Sequence, residues 1–269
     1  MPLKRMFKGL YQSLPGGLSH ALYDAAITAS NAKYRAQRAS WARVFERLGR
    51  PRTVISGPFK GMSHIPSPTP GNYLPKLLGV YEMELAGVTE RLLAMDLDVA
   101  VNVGGAEGYY SVGLAWRNPK LRVISFEMKN PIRHLMVELA ALNGVGGRVE
   151  ARGTCDPALL KQALDGPKRP LVICDCEGYE DVLLRPDEIP ALKRAVILVE
   201  THDPFCPGVS GRLRERFGPT HTIEDFRGRP RVASDLPEGV GLTGEDAMLA
   251  MEEDRSFQPL WFLMIPKAP

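Results

Sequence analysis

The sequence predicts an α/β chain in which one doubly wound, seven-stranded and mostly parallel sheet follows a helical N-terminal extension. Between residues 98 and 217 five short apolar runs alternate with helix-length segments, and two further strand-like runs close the chain. The first 60 residues differ in kind, with 11 Lys and Arg against only Asp24 and Glu46.

The elements can be justified in order. Residues 19–48 contain neither Gly nor Pro, and they space Ala36, Ala39, Trp41, Val44, Phe45 and Leu48 at loosely helical intervals, which predicts one or two helices. Residues 51–79 are rich in Pro, Gly and Ser around the β-branched run Thr53, Val54 and Ile55, and read as a hairpin and linker. The division is therefore drawn between an extension with its linker, 1–75, and a main domain, 76–269.

Strands are expected at DVAVNV (98–103), RVISF (122–126), RVEAR (148–152), PLVIC (170–174) and AVILV (195–199). Helices are expected from Tyr109, from Pro131, from Pro157, after Gly178 and over SGRLRERF. Strands this apolar have no face in water, as in a parallel sheet with helices on both sides. The chain closes with THTIEDF, a hairpin-like GRPR, a helix around Glu245–Arg255 and the apolar strand PLWFLMI.

Composition narrows the function. The net charge of +3 divides into +9 over residues 1–60 and −6 over the rest. That bias suits an anionic membrane surface or another polyanion, the plainer reading being a solvated helix face. Cys155, Cys174, Cys176 and Cys206 form no disulfide framework, and no stretch approaches the roughly 20 apolar residues that span a bilayer. A cytoplasmic protein, peripheral to a membrane at most, is expected.

The chemistry concentrates where strands end. Val103 leads into Gly104-Gly105-Ala106-Glu107-Gly108, small residues that let a ligand approach the backbone at the start of a helix. The spacing does not fit the G-x-G-x-x-G of a dinucleotide site, and Glu107 facing a pyrophosphate would repel it. Glu127 ends the second strand, where a carboxylate can accept both hydroxyls of a ribose. The fourth strand ends in Asp175-Cys176-Glu177-Gly178-Tyr179-Glu180 and the fifth in Glu200-Thr201-His202-Asp203. Parallel neighbours lie under about 5 Å apart, so Asp175 and Glu200 should meet, and carboxylates that close call for a cation or a shared proton. Glu177 and Glu180 read equally well as carboxylates in the first turn of a helix.

The turn fits D-x-G-x-G-x-G, the class I methyltransferase motif, with Asn102 for Asp and Ala106 for the middle Gly. V-N-V-G-G-A-E-G-Y-Y, I-S-F-E, V-I-C-D-C-E-G-Y-E-D-V-L-L and I-L-V-E-T-H-D, with Leu77–Glu82 ahead of them, resemble FkbM-type methyltransferases in order and spacing over about residues 75–205. Asn102 and the pair Cys174 and Cys176 depart from that pattern. The resemblance implies a Rossmann-like sheet whose last strand inserts antiparallel beside the fifth, S-adenosylmethionine as methyl donor, and a hydroxyl on a sugar or natural-product-like small molecule or glycan as acceptor. It implies a cofactor site of Glu82, Asn102, Gly104, Gly105, Ala106, Gly108, Tyr109, Glu127 and Met128, with Thr154 and Cys155 after the third strand at the adenine.

The acidic rim also resembles methyltransferases that hold a divalent ion between these two strand ends. Asp175, Glu200 and Asp203 would then be ligands for Mg²⁺, which prefers oxygen. Catalysis is assigned to Asp175, Glu200 and His202, with His202 or Asp175 as general base if there is no metal. A zinc site from Cys174, Cys176, Cys206 and His202 is disfavoured, since the first two should point into sheet packing. A nicotinamide oxidoreductase and an inactive S-adenosylmethionine-binding scaffold remain as alternatives, and a homodimer is left open.

Overall fold

In the computed structural model, residues 39–65, 70–253, 255 and 257–267 are described. Most of the basic extension lies outside them. Two compact units divide at Arg50 and Pro51. In the first, residues 39–47 are helical, as the spacing of Trp41, Val44 and Phe45 predicts. The second unit begins at Pro51 rather than at residue 76. Its opening segment is no linker: Thr53 bridges Ser63, and Val54, Phe59 and Met62 bury against the sheet's helices.

The second unit is built on a seven-stranded sheet ordered β3-β2-β1-β4-β5-β7-β6. The strands are β1 Val99–Val103, β2 Arg122–Phe126, β3 Val149–Arg152, β4 Pro170–Cys174, β5 Val196–Thr201, β6 His221–Arg227 and β7 Leu260–Pro266. β1 to β5 run parallel, and β7 inserts antiparallel between β5 and β6. This is the doubly wound, mostly parallel sheet that the sequence predicts. Each strand side chain faces one side or the other in turn. Val99, Val101 and Val103 pack with Val172, Ile197 and Phe262 on one face, while Ala100, Ile173, Leu198 and Trp261 pack with Phe59 and Tyr109 on the other.

Two elements differ from their sequence reading. The helix after Gly178 is a single turn, Glu180–Leu183, because Pro186 disfavours helical backbone at Arg185. GRPR makes no hairpin: β6 and β7 pair directly, and the 32 residues between them, 228–259, carry a 3-10 turn and the helix Gly244–Met251. Among the described residues, no helix is long and apolar enough to cross a membrane.

Candidate active site

β1 and β4 lie side by side, with β1 connecting outward to β2 and β4 to β5, so the strand order reverses between them. Ligands of open α/β sheets bind at the carboxyl ends of such a pair. Val103 pairs with Cys174, which sets Gly104 beside Asp175. Gly104 has φ 84°, and a Cβ on it would lie 1.7 Å from the Asp175 carbonyl oxygen, so no other residue lets these two strand ends close up.

A small cleft opens at this edge, lined by Asn102, Ile173 and Asp175 at the strand ends and by Gly104, Gly105 and Ala106 of the turn. Lys76, Tyr81, Glu82, Tyr109, Tyr110 and Trp261 complete its lining. Period-two alternation explains the floor, because Asn102 and Asp175 lie two residues beyond buried Ala100 and Ile173 on the same face. Trp261 is 1% exposed, and its indole N–H meets no acceptor among the described groups. An orphaned buried donor lining a cleft suits a ligand that brings an acceptor.

Of the candidate cofactor residues, Glu82, Asn102, Gly104, Gly105, Ala106 and Tyr109 line the cleft. Asn102 is spoken for, donating to Ser111 Oγ at 2.8 Å, which donates in turn to Ser125 Oγ. Gly108 begins the helix Tyr109–Arg117 at φ 98°, where a Cβ would meet the Met136 side chain. Glu127 stands at the end of β2, accepting the backbone N–H groups of Ala106 at 3.1 Å and Lys129 at 2.7 Å. The other three are not drawn into the cleft. Met128 is 70% exposed and Thr154 is exposed, while Cys155 buries in the core on the opposite sheet face, where burial pushes its thiol up to about 12.

Glu107 pairs in the interior with Lys76, whose ammonium lies 4.6 Å from the centre of the Tyr81 ring. Burial works against the Glu107 charge, but Lys76 holds the carboxyl below its ordinary value. The repulsion expected between Glu107 and a phosphate is therefore largely cancelled, and that argument against a dinucleotide falls away.

The acidic rim forms as β4–β5 adjacency requires. Cys174 pairs with Val199, bringing Asp175 opposite Glu200. His202 is 2% exposed, with Nε2 3.5 Å from Asp175 and 3.8 Å from Glu200. Its Nδ1 meets Glu180 at 2.8 Å, and the same Glu180 oxygen accepts the Cys176 and Gly178 N–H groups. Ligand atoms of Asp175, Glu200 and His202 fall within 4.8 Å of one another, the one such group among the described residues. Asp203 does not join them, because it turns away to accept Ser210 Oγ at 2.9 Å. Nor do the cysteines: Cys174 and Cys176 sulfurs lie 3.5 Å apart, and Cys206 takes a contact from Arg212.

Burial, then Glu82, push Asp175 up to about 7. Burial and the Asp175 charge push Glu200 up to about 9. Burial opposes charge on His202, but Glu180, Asp175 and Glu200 prevail and hold it at about 9. Arg255 answers part of this charge, meeting Glu200 at 3.4 Å, Glu253 at 2.8 Å, and Glu82. Arg255, Lys76, Tyr81, Tyr110 and Trp261 escaped the sequence reading. Tyr81 and Tyr110 adjoin motif residues and offered some signal, whereas Arg255 offered none.

Three of the four non-glycine residues with positive φ among those described border this site: Glu82 at 46°, Ala106 at 44° and Glu177 at 57°. Such strain gathers where backbone is held for a purpose.

No family model matches the sequence, and no curated protein matches it. Among solved structures the chain is similar to a precorrin-6Y C5,15-methyltransferase from Geobacter metallireducens, at 17% identity and TM-score 0.47 over 70% of this chain and 88% of that one. It is similar to the O-methyltransferase TomG from Streptomyces achromogenes, in complex with SAM, at 17% identity and TM-score 0.43 over 70% and 81%. An O-methyltransferase from Bacillus cereus, in complex with SAH, gives 14% identity and TM-score 0.40 over 84% and 90%.

Proposed function

We propose that this chain is a class I, FkbM-like methyltransferase that transfers a methyl group from S-adenosylmethionine to a hydroxyl of a small-molecule or glycan acceptor. The observation that carries the reading is the cleft at the β1–β4 reversal, floored by the glycine turn and opening onto the Asp175, Glu200 and His202 group. Gly104, Gly105, Ala106, Asn102 and Glu82 would hold the amino-acid end of the cofactor, with Lys76 near its carboxylate and Glu127 at its ribose. The orphaned Trp261 N–H fits a ligand with an acceptor oxygen. The cofactor supplies an electrophilic methyl group.

The chain's own residues manage the proton. As the new C–O bond forms and the C–S bond breaks, the hydroxyl proton must go to a base. Asp175, at about 7, is the carboxylate best matched to that task near neutrality. His202 at about 9 keeps its proton at neutral pH unless a cation displaces it, and it serves first to fix the site through Glu180. The oxygen and nitrogen donors of Asp175, Glu200 and His202 also fit a divalent ion such as Mg²⁺, which would polarise the acceptor hydroxyl. Glu180 on Nδ1 leaves Nε2 facing the carboxylates, the usual way a carboxylate orients a metal-binding imidazole.

Thermal unfolding with S-adenosylmethionine, S-adenosylhomocysteine or NAD, each with and without chelator, tests the reading. Stabilisation by the first two alone is expected, and stabilisation by NAD alone would overturn it.

A further inference from the structure

Around His202, beside the cleft residue Asp175, lie two features that methyl transfer as such does not use. Phe205 is 55% exposed, and its ring stacks on His202 with centroids 5.8 Å apart and planes 16° from parallel. Phe257 stands edge-on to it at 5.6 Å, and exposed Tyr179 follows Gly178, which lies against Phe205. A lone exposed apolar side chain needs no explanation, but paired rings beside a candidate base form a platform.

The second feature is charge. Asp175, Glu177, Glu180 and Glu200 surround His202, while Glu82, Glu84 and Glu253 surround Arg255 and Arg231. Seven carboxylates thus face three cationic groups. Glu177 lies 3.8 Å from His202 Nε2 and is otherwise 75% exposed to solvent. Three buried polar atoms here also lack partners: Glu180 Oε2 beside His202, Arg231 Nε between Glu84 and Glu253, and the Trp261 N–H, whose ring lines the same cleft as Asp175. An acceptor oxygen and a positive charge are what this site lacks.

We propose that the acceptor is a ring-bearing alcohol that also carries a protonated amine, with the ring's apolar face on Phe205 and Phe257 and the ammonium held at Asp175 and Glu177. Carboxylate and aromatic faces both favour an ammonium, and the arrangement leaves the hydroxyl beside Asp175. A divalent ion alone would answer the charge but leave the Phe205 platform uncovered. The proposal rests on the methyl-transfer reading for its chemistry and on Phe205 and Glu177 for its selectivity.

The test compares trans-2-aminocyclohexanol with trans-1,2-cyclohexanediol, which differ only in the ammonium. Each is titrated calorimetrically into the full chain saturated with S-adenosylhomocysteine, at neutral pH with chelator. The amino alcohol should bind at least about tenfold more tightly, Glu177→Gln should erase most of that preference, and Phe205→Ala should weaken both compounds. Equal affinities, no binding of either compound, a preference unchanged by Glu177→Gln, or affinities unchanged by Phe205→Ala would overturn the proposal. So would binding of the diol in Mg²⁺ that matches the amino alcohol, since the rim would then belong to the ion. S-adenosylhomocysteine binding is read in its own titration. If it fails, the methyl-transfer reading falls, and the amino alcohol comparison is read on the protein alone.

Discussion

Three neighbouring groups hold more protons in the folded chain than they would unfolded. Asp175 rises from 3.8 to about 7, Glu200 from 4.5 to about 9 and His202 from 6.5 to about 9. A raised folded-state value contributes stability that is complete below the unfolded value and lost as pH rises through the folded one. The ligand-free protein should therefore lose thermal stability between about pH 7 and pH 9, the groups titrating as one set. Glu200→Gln, which has no proton to lose, should flatten that decline, and a midpoint that holds or rises over this window would contradict the assignment. In turnover, Asp175→Ala and Glu200→Ala should each abolish methyl transfer while leaving S-adenosylhomocysteine affinity nearly unchanged. Chelation without effect, with no ion found by elemental analysis, would leave Asp175 acting alone.

At this scale the sequence was legible where chain order alone sets position. Asp175 and Glu200 could be paired because both end apolar strands. Asp203 could not be excluded, since its turn toward Ser210 depends on the loop that follows β5. The Glu107 partner Lys76 stands 31 residues away and Arg255 reaches Glu82 across 173, separations over which no local pattern operates.

Among elements, the strands were read within a residue or two because each is a short apolar run with a fixed neighbour, and the glycine turn because β1 must yield to β4. Gly104→Ala should cost about 1–3 kcal/mol or more, from backbone overlap and a positive φ together. Gly87→Ala, inside the helix Ala86–Ala94 with nothing within 4 Å, should instead stabilise by up to about 1 kcal/mol. Equal denaturation midpoints for the two variants would refute the close-approach argument. The buried Lys76–Glu107 pair makes a second prediction at this scale. Lys76→Met strands a buried carboxylate and should cost about 3–5 kcal/mol, while adding Glu107→Leu should recover much of the loss. The helix expected after Gly178 forms but stops early at Pro186, and the hairpin at GRPR was misread because tertiary partners, Asp235 for Arg229 and Glu84 and Glu253 for Arg231, hold that backbone.

For the whole molecule, the doubly wound, mostly parallel sheet was legible from five βα repeats followed by two closing strands, and the antiparallel place of β7 beside β5 only through the family resemblance, while the strand order itself came from the structure. The extent of the main unit was not, because Val54, Phe59 and Met62 sit in a Pro- and Gly-rich stretch whose composition resembles a linker. The +9 charge of residues 1–60 favours an anionic surface, so full-length protein should be retained on anionic liposomes or heparin at low salt more than a chain beginning at Pro51. Equal retention would return that segment to a solvated role. The central claim is that the β1–β4 cleft binds S-adenosylmethionine with Glu127 at its ribose. Calorimetric titration of the wild type and Glu127→Ala with S-adenosylhomocysteine tests it most directly. Saturable binding to the wild type that is largely lost in the variant is expected, and binding that is absent from the wild type, or unchanged by Glu127→Ala, would contradict it.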